Sequence, residues 1–114
     1  MELSTFLAKL DNAPESIQFE DTMAVIEHNY QFTEREFTNG DAINAAGQNN
    51  GSCKIFAFGQ LEGLSQQQTL ACFGQFYRHD VLEFPNNTDH QNIRNFIKQG
   101  WEGVRFSEPA LTKK

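Results

Sequence analysis

Cysteine and proline are scarce in this chain, and their scarcity narrows the class of protein. Two cysteines and three prolines occur in 114 residues. Small secreted scaffolds held by disulfides carry more cysteines, so that class is excluded. Residues 1–10 lack the basic start and the unbroken apolar stretch of a cleaved signal peptide. We therefore expect a protein that is made and folded in a cytoplasm.

Basic clusters and long apolar runs are missing as well. Nine Lys and Arg stand against fifteen Asp and Glu, which gives a formal net charge of -6. Nucleic-acid binding needs a basic patch, and no stretch of this chain supplies one. The closing Lys113-Lys114 pair is shorter than the about four to eight basic residues of a membrane-binding segment. No apolar run approaches the ~20 residues of a membrane-spanning helix. We expect neither a nucleic-acid partner nor a membrane partner.

Phenylalanine, in contrast, is abundant, with eleven residues in the chain. Hydrophobic residues make up 39% and charged residues 21%, which are ordinary values for a globular protein. A chain of this length fits one domain of about 100–150 residues. We therefore predict a single domain over residues 1–114 with an aromatic core.

Apolar residues at helical spacing predict five helices, the first of them with a face of Leu3, Phe6, Leu7 and Leu10. The predicted helix starts are Asp21, Ser52, the Ser65/Gln68 capping box and the Thr88/Gln91 capping box. The predicted stops are Pro14, Gly63, Pro85 and Gly100. The third helix, with Ile55, Phe56, Phe58 and Leu61, is expected to run through the core. The fourth is expected to run unbroken to Pro85 with Leu70, Phe73, Tyr77 and Val81 buried, and the fifth to bury Ile93, Phe96 and Ile97.

Strand signals are fewer. Asn39-Gly40 is a preferred pair for a tight hairpin turn, and residues 104–106 alternate like a short strand. Residues 33–36 match a one-turn capping box, residues 44–51 have the composition of a loop, and the tail after Pro109 is expected to be loose. The sequence thus predicts an α+β, mostly α fold, with about five helices around one core and a short hairpin or small antiparallel sheet.

Four segments together resemble a known family. They are DTMAVIEHNY at 21–30, NAAGQNNGSCKIFAFGQLEGLS at 44–65, QTLACFGQFYRHDVL at 68–82 and DHQNIRNFIKQGWEGVRF at 89–106. In these segments the chain resembles the HopJ type III effector family over nearly its whole length. The resemblance implies a bacterial protein, present in the bacterial cytoplasm and of a kind that type III secretion delivers into host cells. It implies no reaction, cofactor or catalytic residue.

Cys53 is the first candidate for chemistry. It follows Gly51-Ser52 at a predicted helix start, where the helix dipole favours a thiolate. The string GSCKIFAF resembles the box around papain-like nucleophiles, with His90 and Asn92 later in the chain. These residues suggest an alternative function, that of a small cysteine-dependent hydrolase or transferase that uses Cys53 and His90. Burial among phenylalanines raises a thiol pKa instead, so we expect Cys53 to be inert.

The two cysteines fall on neighbouring predicted helices. Packed helix axes lie ~8–10 Å apart, whereas the Cα atoms of a disulfide are usually within ~7 Å. We therefore predict that Cys53 and Cys72 are reduced thiols.

Two mirrored pairs, His79-Asp80 and Asp89-His90, flank the loop through Pro85. Imidazoles and carboxylates brought to one end of two antiparallel helices are candidate ligands for a divalent ion. The alternative is that Asp89 and His79 stabilise helix ends electrostatically, and it requires no metal. We favour that alternative and predict neither a metal nor a cofactor.

Amides form the third candidate site. The predicted binding residues are Asn44, Gln48, Asn49, Asn92, Arg94 and Asn95. Their role is either to fix the long loop onto the fifth helix by hydrogen bonds or to form a binding surface. Trp101 is expected to cover the core beside that helix rather than to bind a ligand. Together these features favour a non-enzymatic module whose partner is another protein.

Overall fold

The structure is a computed structural model that describes residues 1–114. Helices α1–α5 are Leu3–Asn12, Phe19–Asn29, Asn50–Glu62, Gln66–Ala71 and Gln91–Gln99. Strands β1–β5 are Tyr30–Phe32, Phe37–Asn39, Ala42–Asn44, Val104–Phe106 and Leu111–Lys113. A π-helix spans Phe76–Val81, and two 3₁₀ turns span Pro14–Ser16 and Gly100–Gly103. The predicted α+β, mostly α class is confirmed. None of the helices combines the length and the hydrophobicity that spanning a lipid bilayer requires.

The strands form two small antiparallel sheets. In the three-stranded sheet β2 is central, between β3 and β4, and β1 pairs with β5 in a two-stranded ribbon. The predicted hairpin is confirmed, with Asn39 opposite Ala42 as the last pair before the turn. The two turn residues are therefore Gly40-Asp41, and Gly40 adopts the left-handed conformation with φ of 61°.

The chain after Pro109 is ordered, so the prediction of a loose tail was wrong. Leu111–Lys113 pairs with β1, and Ala110 and Leu111 are buried. The prediction of a one-turn capping box at residues 33–36 was also wrong, because these residues form no helical turn. Thr33 donates its backbone N–H to Ala110 O at 2.8 Å, and the Arg35 side chain donates to Pro109 O at 3.0 Å. Contacts with the tail therefore hold residues 33–36 in a non-helical conformation.

Helix α3 runs through the aromatic core as predicted. Phe56 is fully buried, and its ring lies within 5.0–6.3 Å of four other rings, measured between centroids. The contacting rings are Phe37, Phe73, Phe96 and Trp101. Trp101 also donates its indole N–H to Leu64 O at 3.0 Å, which makes it the expected cover over the core. Leu61 and Ile97 were predicted to be buried, but they lie on outer helix faces and are 54% and 38% exposed.

Four helix starts were predicted from capping residues, and one of them is confirmed. Gln68 N donates to Ser65 Oγ at 3.1 Å, and the Gln68 side chain accepts from Ser65 N. Helix α2 begins two residues before Asp21, which instead accepts from the backbone N–H of Gln18.

The predictions that helices start at Ser52 and at Thr88 were wrong. Helix α3 already begins at Asn50, so Ser52 lies inside it, and α5 begins at Gln91. The residues before them, Asn49 and His90, both adopt φ of 53°, and neither side chain caps its helix. Side-chain capping therefore does not set these two starts.

The predicted fourth helix is broken in the middle. Helix α4 ends at Ala71, and the chain turns through Gly74 before it continues as the π-helix. Gly74 has φ of 60°, and a Cβ atom there would lie 2.4 Å from the backbone nitrogen of Phe19. Close approach of α2 therefore forces the break. Of the predicted stripe, Leu70, Phe73 and Val81 are buried, and Tyr77 is half-buried.

Candidate functional site

A cleft of about 480 Å³ lies where β3, the start of α3, the start of α5 and the π-helix meet. Phe73 and Ile93 are buried and form its floor, and the half-buried rings of Phe19 and Phe76 extend the apolar surface. Its polar wall consists of Asn44, Gln48, Asn49, Ser52, His90, Gln91 and Asn92. We call it the amide cleft. It contains no acidic residue, and His90 is the one titratable group that lines it.

A buried hydrogen-bond network of amides supports this wall. Asn44 and Asn92 exchange two side-chain bonds of 3.3 and 3.0 Å, which join β3 to α5. Asn49 Nδ2 donates to Asn44 Oδ1 at 2.7 Å, and Asn39 Nδ2 donates to Asn92 O at 2.8 Å. Asn44, Asn49 and Asn92 of the wall are therefore each hydrogen-bonded to another amide of the network.

Four of the six predicted binding residues line the cleft, namely Asn44, Gln48, Asn49 and Asn92. Asn95 does not, because its side chain donates to Asn39 O at 3.0 Å beneath the sheet. Their part in binding remains a prediction. Asn39 belongs to the network but was assigned only to the hairpin turn. The period-two alternation that places it on the same face of β2 as Phe37 was the available signal.

Arg94, the remaining predicted binding residue, lies outside the cleft and fixes a loop. It is 9% exposed, and its guanidinium donates to four backbone carbonyls and to one carboxylate. The carbonyls are those of Asp80, Phe84, Pro85 and Asp89, and the carboxylate is that of Asp89, at 2.7 Å. Arg94 therefore joins the loop after the π-helix to α5.

Helices α3 and α5 both begin at the cleft. The first three backbone N–H groups of a helix have no partner within it. No other group accepts a hydrogen bond from the backbone N–H groups of residues 50–52 and 91–93. The dipoles of both helices add partial positive charge at the same place. This part of the cleft is suited to acceptor oxygens such as peptide carbonyls.

His90 is held in place by its neighbours. Its Nε2 lies 3.1 Å from Asp80 Oδ2, and its ring stacks on Phe76 with centroids 5.3 Å apart. Asp80 also contacts His79 Nδ1 at 2.8 Å. The hydrogen bond from His79 is the main cause that lowers the pKa of Asp80, and the same bond raises the pKa of His79.

The two His/Asp pairs that the sequence suggested as metal ligands do meet. They form a chain of contacts from His79 through Asp80 to His90, while Asp89 pairs with Arg94. No group of three or more His, Cys, Asp or Glu residues is arranged to hold a metal ion.

Cys53 lies behind the cleft rather than in it. The residue is 1% exposed, and its Sγ lies 3.9 Å from Arg35 O, its one polar contact. Its backbone N–H bonds to Asn49 O, so it lies beyond the unpaired donors at the helix start. Burial raises the pKa of the Cys53 thiol. Cys53 and Cys72 are both free, as predicted.

The HopJ type III effector protein family model matches residues 3–111, which is nearly the whole chain. The chain belongs to the HopJ family. It is also similar to a solved protein, described as the unknown function protein VPA0580 in its crystal structure, with 62% identity and a TM-score of 0.99. The alignment covers 100% of this HopJ chain and 95% of that one. No curated protein matches the HopJ chain.

These comparisons confirm the family that the sequence resembled. The family is described as one of type III effector proteins, so the chain is effector-like, and the solved relative is described as a protein of unknown function.

Proposed function

We propose that this HopJ-family protein acts by binding a segment of a partner protein in the amide cleft. One observation carries the proposal: residues that the sequence nominated for binding line one cleft, over an apolar floor. A cleft with an apolar floor and a few fixed polar groups is the usual form of a binding site. Family membership among type III effectors points to a partner in the host cell.

The geometry favours binding over catalysis. A cysteine hydrolase needs an accessible thiol with a base in hydrogen-bond reach. Cys53 is buried, and no histidine is hydrogen-bonded to it. The cleft offers hydrogen-bond donors and a wall of hydrogen-bonded amides, which bind an acceptor-rich segment of chain without changing it chemically.

Affinity capture from host-cell lysate tests the proposal when it includes a cleft variant. Gln48→Lys and Gln91→Lys place one added charge each at exposed cleft residues, and Gln31→Lys places the same charge on β1, outside the cleft. We expect the native chain and Gln31→Lys to capture the same protein, and the two cleft variants to lose it. Equal capture by all four chains would contradict a role for the cleft.

A further inference from the structure

Strand β3 is an open edge of the three-stranded sheet. It pairs with β2 on one side only. Antiparallel pairs alternate between hydrogen-bonded and non-hydrogen-bonded, and the pair that closes a two-residue hairpin is hydrogen-bonded. Asn39–Ala42 is that closing pair, so the N–H and C=O of Ile43, opposite Thr38, point away from β2. No hydrogen bond outside the sheet engages the backbone of Ile43.

Apart from its length of three residues, this edge lacks the usual protection against pairing with another chain. Natural edge strands carry lysine, proline, bulges or a cover. The opposite edge, β4, has the charged Arg105 at its centre, whereas β3 has Ile43, whose side chain is 73% exposed. Ile43 is the most exposed large hydrophobic residue in the chain. The register between β3 and β2 is continuous over all three residues of β3, so no bulge interrupts the edge.

The open side of β3 is also a wall of the amide cleft, since Ala42, Ile43 and Asn44 all line it. A neighbouring strand lies about 4.8 Å away in the hydrogen-bonding direction. A strand added at that distance would therefore enter the cleft. Its side chains would alternate between the exposed face of Ile43 and the floor of Phe73 and Ile93.

We propose that the occupant of the amide cleft is an extended segment of a partner protein that adds to β3 as a fourth strand. Its backbone pairs with the N–H and C=O of Ile43, and one apolar side chain contacts the floor. This inference rests on the proposed function and names the conformation and chemistry of the bound segment. The mode is β-strand addition, in which the backbone supplies hydrogen bonds and alternate side chains supply specificity.

A second copy of this chain fits the same edge less well. Each copy carries a formal net charge of -6, so two copies repel each other. Two three-residue strands paired edge to edge bury far less than the ~1,200–2,000 Å² of a stable interface. A segment that also fills a cleft of about 480 Å³ gains contacts that a paired copy does not.

Selection from a random heptapeptide library displayed on phage tests the inference. One selected peptide, labelled with fluorescein, is then titrated against the native chain and its variants by anisotropy. Ile43→Pro removes the outward N–H without removing a bond of the β2–β3 ladder, and edge strands tolerate proline. We expect this variant to weaken binding by about tenfold or more.

Ile43→Thr is the matched control, because it keeps the N–H and a β-branched side chain. We expect it to bind within about threefold of the native chain. Amide hydrogen exchange gives a second measurement that needs no substitution. In the native chain the Ile43 amide should exchange rapidly when free and be protected when the peptide is bound.

The outcomes separate this inference from the proposed function. A peptide that Gln48→Lys weakens, but that neither protects the Ile43 amide nor responds to Ile43→Pro, overturns strand addition and leaves cleft binding standing. Failure to select any peptide that depends on the cleft overturns both. If the selected peptide binds the Ile43→Pro chain as well as the native one although the Ile43 amide is protected, the peptide only shields that amide from water, and strand addition at Ile43 is overturned.

Discussion

At the scale of single residues, the amides of Asn44 and Asn92 form a reciprocal pair between β3 and α5. Both are nearly buried, at 3% and 6% exposed, and each is donor and acceptor to the other. A buried polar group is stable only while its hydrogen bonds are made. Removing Asn92 therefore takes one hydrogen bond from each polar atom of the Asn44 side chain, which leaves Oδ1 bonded to Asn49 and Nδ2 with a bond of 3.4 Å to Phe37 O.

We predict that Asn92→Ala lowers the free energy of unfolding by about 1–3 kcal/mol, because Asn44 loses two hydrogen bonds to the Asn92 side chain and Asn39 loses one. Urea denaturation followed by circular dichroism measures the change. Gln91→Ala, the exposed neighbour on α5, is the control and should stay within about 0.5 kcal/mol of the native chain. An equal effect of the two substitutions would mean that the network adds nothing to stability.

The thiols provide a second prediction at this scale. Burial raises the pKa of Cys53, and it raises the pKa of Cys72 to about 12, so both are protonated at neutral pH. We expect iodoacetamide to label neither faster than free cysteine, and both at ordinary rates once the chain is unfolded in urea. Rapid labelling of Cys53 in the folded chain at mildly acidic pH would revive the cysteine-dependent alternative.

At the scale of elements, the break between α4 and the π-helix shapes the cleft. The turn at Gly74 ends α4, and the π-helix then places Phe76 against His90 and Asp80 within reach of its imidazole. π-Helical turns are rare and occur often at functional sites. An unbroken α-helix over the same residues would direct these side chains elsewhere.

Two glycines with similar φ angles give a matched test of this break. Gly74 and Gly63 have φ of 60° and 66°, but only at Gly74 would a Cβ meet another backbone, that of Phe19. Gly63→Ala should cost ~1–2 kcal/mol from the left-handed conformation alone. We expect Gly74→Ala to cost clearly more, measured by thermal or urea unfolding. Equal losses would show that α2 moves aside at no cost.

The buried face after α4 gives another prediction. Phe73 is 2% exposed and packs against Phe56, with ring centroids 5.6 Å apart. We expect Phe73→Ala to lower the free energy of unfolding by about 3–5 kcal/mol, because it leaves a cavity in the core. Phe84→Ala removes a ring that is 46% exposed and should cost much less. A loss below ~1 kcal/mol for Phe73→Ala would contradict its place in the core.

At the scale of the whole molecule, the charge balance limits the partners. With a formal net charge of -6, the chain repels polyanions, and we predict no specific binding to nucleic acid at physiological salt. Fluorescence anisotropy with labelled DNA and RNA duplexes checks this. Sub-micromolar binding that weakens steeply with added salt would overturn it.

Local patterns predicted most of the helices but few of their ends. The apolar spacing of α1, the capping box of α4 and the glycine stops at Gly63 and Gly100 are determined within a few residues of chain, and all were confirmed. The starts at Asn50 and Gln91 were missed. The residues before them, Asn49 and His90, adopt φ of 53° and cap neither helix with a side chain, so no local capping pattern marks these starts.

The C-terminal strand, residues 111–113, was also missed because local sequence patterns do not indicate it. Residues 111–113 carry a lysine and a threonine after a single leucine, too short a pattern to indicate a strand. They become one because β1 offers an open edge and Ala110 is buried beside it. Strand pairing between distant segments is decided by what the rest of the fold leaves unpaired.

The fold class, the aromatic core, the reduced cysteines and the HopJ family could be predicted from the 114 residues alone, because these follow from composition, from periodicity along single elements and from long matching segments. The amides of the cleft could also be named as candidates. Which of them line the cleft, that Arg94 and Asn95 make other contacts, and that Cys53 lies behind the cleft became visible only in the folded chain. Periodicity shows that a residue faces inward, but which side chains meet depends on contacts between elements far apart in the chain.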